Sequence, residues 1–259
     1  MNHWIPAAPF AAALVVGMLI CLEVGRQLGI RNLARNPDRA PSGLGTVEGA
    51  VFGLYGLLLA FTFYGAAARF DTRRQLIAQE ANAIGTAYLR LDLLPPESQI
   101  PLRDRFRHYV DFRVEAPRKA RDVAALEQVM AQTAALQTDI WARAVAATRL
   151  RGAHPDAARL LIPALNDMID IVTTRAMAAR IHPPLVIFGL MFVLALLCAL
   201  LAGYGMAARE QRSWPHITAF ALITVVAVYV VLDIEYPRRG FIRLDPYDQV
   251  LVDLRQSMK

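Results

Sequence analysis

From Leu44 to Leu94 the chain runs for about fifty residues without a proline, until Pro95-Pro96 stops it. Its first half, LGTVEGAVFGLYGLLLAFTFYGAAARF, is apolar enough for a membrane, and DTRRQLIAQEANAIGTAYLRLDLL continues it with no helix breaker. One helix of that length would reach roughly 75 Å at 1.5 Å per residue. A bilayer core takes only about 20 residues. The stretch therefore predicts a membrane span that carries on as helix outside the lipid.

At 100° per residue the span has two faces of different kind. Gly45, Gly49, Gly53 and Gly56, with Ala60 and Ala67, fall on one stripe. Small residues at this spacing let membrane helices approach closely, so the stripe is expected to be a helix-packing surface. Beside it lie Glu48, Phe52, Tyr55, Leu59 and Phe63. A carboxylate near the start of a span is costly against lipid, so Glu48 should meet water, a partner or the headgroups. Two readings follow. Either this is a packing helix with Glu48 at the membrane interface, or Glu48, Phe52, Tyr55, Leu59 and Phe63 line a pore around an oligomer axis.

Three further apolar runs suit spans: Ala7 to Leu22, Leu185 to Ala208 and Ile217 to Ile234. The first is read as an uncleaved span, because the preceding MNHWIP has no Lys or Arg and Glu23 follows directly. A loop, GRQLGIRNLARNPDRAPSG, is expected after it, with Asn36-Pro37 and Pro41-Ser42-Gly43 as breakers. Between Arg69 and His182 the pattern is helical throughout. Apolar seams are carried by Ile77, Ala81 and Ile84, then by Leu102, Phe106, Tyr109 and Val110, then by Met130 and Ile140, then by Leu161, Leu165 and Met168. Pro117 should end or kink the second of these helices. Asp156 is placed to cap the fourth. The tail has room for one more short helix around Val250, Leu251 and Leu254.

The expected fold is thus all-α and integral to the membrane. Transmembrane helices 1 and 2 lie in 1–68, an extramembrane antiparallel helical bundle inserted between helices 2 and 3 in 69–182, transmembrane helices 3 and 4 in 183–236, and a tail in 237–259. Arginines near the span ends are more numerous on the bundle side, which favours a cytoplasmic bundle and termini.

Signals for catalysis are missing. The five histidines show no pair at i+4, and there is no nucleophile elbow or phosphate loop. No enzyme activity, cofactor or metal is expected. The net charge of +6 lacks a basic run with interleaved aromatics, so nucleic acid is not an expected partner. Cys21 and Cys198 both sit in apolar runs and suggest no disulfide. The distinctive polar residues gather at membrane boundaries: Asp71, Arg73 and Arg74 after the second span, and Asp233, Glu235, Arg238 and Arg239 at the end of the fourth. Asp71 can pair with an arginine at helical spacing. Asp233 calls for a cation, Arg238 or Arg239 being nearest. Asp233 and Glu235 with Arg238 and Arg239 form either a salt-bridged belt that fixes the turn or the lining of an ion vestibule or gate.

The stretches GTVEGAVFGLYGLLLAFTF, RFDTRRQLIAQEANAIGTAYLRLDLLP, HPPL, LLAGYGM and DIEYPRRGFIRLDPYDQ resemble the bestrophin-like membrane proteins of bacteria, distant relatives of bestrophin anion channels. Phe70-Asp71 with Arg73-Arg74 resembles the aromatic-Asp-Arg segment after the bestrophin second span. Glu235-Tyr236-Pro237 with Gly240 and Asp245 resembles the end of the fourth. The resemblance implies a homo-oligomer, a pentamer, whose second spans surround an anion pore with an apolar neck. The dense acidic run of the animal calcium clasp is absent here. The partners expected are therefore the lipid bilayer, copies of the same chain and small inorganic ions such as chloride. The contrasting reading is a membrane-anchored helical scaffold or sensor that recruits a partner through its bundle.

Overall fold

The computed structural model describes residues 7–35, 44–120, 122–208, 214–238 and 240–258, and among them it contains helices and no strand. In chain order these are α1 (Ala7–Arg35), α2 (Leu44–Leu89), α3 (Pro96–Arg118), α4 (Val123–Ala147), α5 (Ala157–Arg180), α6 (Leu185–Gly205), α7 (Trp214–Glu235) and α8 (Asp245–Ser257). Short 3-10 turns follow α2 and α6. The described helices include four long and apolar enough to cross a membrane. The chain divides into two compact units, one of residues 1–70 and 182–242, the other of residues 71–181 and 243–259. α2 contributes to both.

The first unit is built on glycine. α1 runs on through GRQLGIRNLAR to Arg35, where the sequence suggests a loop. The reason lies in its contacts. Gly25 lies against the Leu200 carbonyl, Gly29 against the Tyr204 carbonyl, and Gly203 of α6 against the Leu22 carbonyl. A Cβ at any of the three would collide with backbone, which cannot move aside as a side chain can. Close approach through missing side chains is how membrane helices pack without a hydrophobic drive. Leu14, Met18, Phe188, Met191, Ala195 and Val228 fill the core around this seam.

The second unit packs the later part of α2 with α3, α4, α5 and α8. Ile84, Leu102, Phe106, Tyr109, Ile140, Leu161, Leu165 and Met168, residues of the expected seams, are fully buried at its centre. α2 gives way to a 3-10 turn at Arg90, earlier than Leu94, and Leu94 itself is extended, as a residue before proline is pushed away from helical geometry. α3 then starts on Pro96, where a missing N–H costs little, and ends one residue after Pro117. Asp122 caps α4 by accepting from Ala125 N–H at 3.1 Å. Asp156 stands at the start of α5 but its side chain makes no cap bond, contrary to expectation. It lies instead 3.7 Å from the Arg159 guanidinium. α8 fills the place left for a tail helix, with Leu251 in the core and Leu254 packed against that core, 3.5 Å from where a Cβ on Gly85 would stand.

The seam between α1 and α6 makes a direct prediction. Gly203→Val should lower the melting temperature in detergent sharply and broaden the size-exclusion peak. Gly189→Ala, with open space for its Cβ, should stay near wild type. Equal melting of both variants and wild type would show that α1 and α6 do not touch at these positions.

Candidate functional site

Within one chain the two faces of α2 have different surroundings. A Cβ built on Gly45, Gly49, Gly53 or Gly56 would meet nothing within 4 Å. The glycine stripe is thus open, and no described part of this chain packs on it. Packing within the chain uses the neighbouring face, the one offered as a pore lining. Tyr55 is only 7% exposed and belongs to the core, its hydroxyl without a hydrogen-bond partner among the described residues. Phe52 meets Phe220 edge-on at 5.9 Å, and Leu59 packs on the same core. The Glu48 carboxylate faces Gly205 at the end of α6, at 3.4 Å from where a Cβ would stand. Phe63 alone of the five is exposed, at 44%, and shares its side of the helix with the glycines.

The acidic residues that close α7 do separate jobs. Glu235 is completely buried. Its Oε2 accepts from Arg69 Nη2 at 2.7 Å and Nε at 3.0 Å, and its Oε1 lies 2.8 Å from His182 Nδ1. The His182 ring stacks on Tyr236 at 4.7 Å. Gly65, one turn before Arg69, leaves room for the guanidinium, which would stand 3.2 Å from a Cβ there. A forked cation against a buried carboxylate satisfies both charges where water cannot. Among the described residues, the partners of Asp233 are backbone amides. Its carboxylate accepts the backbone N–H groups of Phe241, at 3.0 and 3.1 Å, and Ile242, at 2.8 Å. Arg238 is half-buried, and Arg239 lies outside the described residues.

The arginines after the second span belong to the other unit. Arg74 pairs with Asp71 at 3.0 Å and lies over the Tyr247 ring at 5.3 Å. Arg73 is buried and closes α5, donating to the carbonyls of Ala178 at 3.1 Å and Ile181 at 2.9 Å. The described boundary residues include an exposed pair, a helix cap, a tail clamp and a buried ion cluster.

A second buried cluster went unread in the sequence. Glu80, fully buried, is held by both Arg113 and Arg175, and Arg175 also lies 3.5 Å from Asp248 of α8. Burial alone would push the Glu80 carboxyl up, but the two guanidiniums outweigh it and hold it below the usual carboxylate range. The signal was present. Arg113 follows Phe106 and Tyr109 at +7 and +4, and Arg175 follows Met168 and Val172 at +7 and +3, so both arginines sit in register with apolar seams. Arg69 likewise follows Thr62 and Ala66, on the buried face of α2.

Helical spans anchored by buried ion pairs define an integral membrane protein of the all-α class. Residues 12–248 match the Bestrophin-like domain, and the chain belongs to that family. No curated protein and no solved structure matches it.

Two outcomes follow from the ion clusters. Arg69→Ala strands Glu235 and should cost about 3–5 kcal/mol, whereas breaking the exposed Asp71–Arg74 pair should cost at most about 1 kcal/mol. Denaturant titration of both variants in detergent checks this, and similar losses would mean Glu235 is solvated. The stability that Glu80 contributes is complete above the ordinary value of 4.5 and is lost as pH falls through its lower folded-state value. Glu80→Gln should therefore be destabilised at neutral pH and show a flatter acid limb than wild type. Parallel acid profiles would contradict the assignment.

Proposed function

We propose that the protein is an oligomeric ion channel, passing chloride or another small anion along a pathway walled by the α2 helices of several copies. The observation that carries this reading is the open glycine face of α2. A span with one side packed in its own chain and the other bare, glycine-lined and continuous over several turns is suited to face copies of itself around an axis. Family membership supplies the class of ion and the pentamer as the arrangement to test. Phe63 is the large side chain on that face among the residues first considered, and it forms the neck. An apolar ring of this kind excludes water and gates by dewetting, so conduction needs no catalytic group and no cofactor. The arginine distribution supports a cytoplasmic location for the residues between α2 and α6.

Reconstitution in planar bilayers under asymmetric chloride salt tests the proposal. Wild type should conduct with a reversal potential displaced toward that of chloride. Phe63→Ala should raise the unitary conductance severalfold. Tyr55→Phe should not, since Tyr55 points into the chain's own core. Silence of wild type and both variants, with insertion verified, would overturn the channel and leave a membrane-anchored scaffold as the reading.

A further inference from the structure

Beyond α7 the chain doubles back. The Phe241 ring centre stands 6.3 Å from that of Tyr229, although α7 ends at Glu235. Tyr229 lies six residues before that end, about 9 Å back along the helix at 1.5 Å per residue. The return is locked by the Asp233 carboxylate, which holds the amides of both Phe241 and Ile242. Gly240 makes the turn possible, because a Cβ there would run into that carboxylate. Yet the Phe241 side chain so carefully fixed is 87% exposed.

The neighbours of the ring say what surrounds it. Leu222 and Val226 precede Tyr229 at helical spacing and are exposed, on the outer side of a helix apolar enough to span a membrane. Phe241 extends that stripe at its end. We infer that Phe241 is a membrane anchor, its ring seated in the glycerol and upper acyl layer of the bilayer, where it sets the depth at which α7 leaves the lipid. A phenyl ring is wholly apolar, so it gains by leaving water for the headgroup/acyl boundary, where exposed Phe and Leu side chains insert. A second copy of the chain fits less well. The stripe consists of large residues, whereas close contacts between membrane helices use small ones, and such a face is open on α2 instead. The inference rests on membrane insertion and not on conduction.

Phe241→Trp in phosphatidylcholine vesicles tests it, with the wild-type emission subtracted for Trp4, Trp141 and Trp214. The ring is exposed, so the exchange should leave the fold intact. The added emission should be quenched strongly by lipids brominated near the top of the acyl chain, less by lipids brominated near its end, and little by aqueous acrylamide. Quenching by acrylamide without quenching by bromolipid would place the ring in water and overturn the anchor. Quenching by neither would place it against protein, a second copy included, and overturn it equally.

Discussion

Glu235 is a carboxylate with no access to water at the end of an apolar helix, and the first unit is arranged around that constraint. An isolated charge there would be expelled or neutralised. Arg69, at the far end of the α2 span, and His182, just before α6, meet the charge from separate parts of the chain. The ends of three membrane helices are thereby fixed by one acid. The same solution recurs in the second unit, where Glu80 gathers Arg113 from α3 and Arg175 from α5, and through Arg175 reaches Asp248 of α8. α2 supplies one member to each cluster. Replacing either acid removes a fixed point for several helices together.

Hydrophobic burial alone would not select this arrangement, because lipid is as apolar as leucine. Within the spans, geometry is set by where backbone can approach backbone. That occurs along Gly25, Gly29 and Gly203, between α1 and α6. α2 attaches to the same unit through bulk, with Phe52 on Phe220 and Tyr55 in the core, and its glycines are left facing outward. An intimate pair of helices and a third held by large side chains leave that third helix with a free, smooth side.

Much of this was legible in the residues. Apolar runs marked the spans, and period-3.6 seams marked the helices between them, since burial in a helix imposes that period. The extent of α1 was not legible, because GRQLGIRNLAR reads as a polar loop until Gly25 and Gly29 are seen to match α6. Residue type divided α2 into two faces, but Phe63 lies on the glycine side, and which face the chain covers depends on the shape of α6 and α7. A glycine stripe reports a capacity for close approach, not the identity of the partner. Asp233 was recognised as needing a donor, and a nearby arginine was the obvious one. Backbone amides in a tight turn have no sequence signature beyond Gly240. The buried arginines were visible in register with apolar seams, yet charge drew the eye to solvent.

The central claim is that the bare face of α2 meets α2 of other copies around a shared axis. Oxidative crosslinking of Gly53→Cys in native membranes tests it most directly, with wild type reporting any contribution from Cys21 and Cys198. The account expects rapid formation of a disulfide-linked dimer for Gly53→Cys, absent in wild type and in Leu222→Cys on the outer side of α7. Crosslinking of Leu222→Cys with none at Gly53→Cys would contradict it, placing the contact between copies on α7 and leaving the glycine face to lipid.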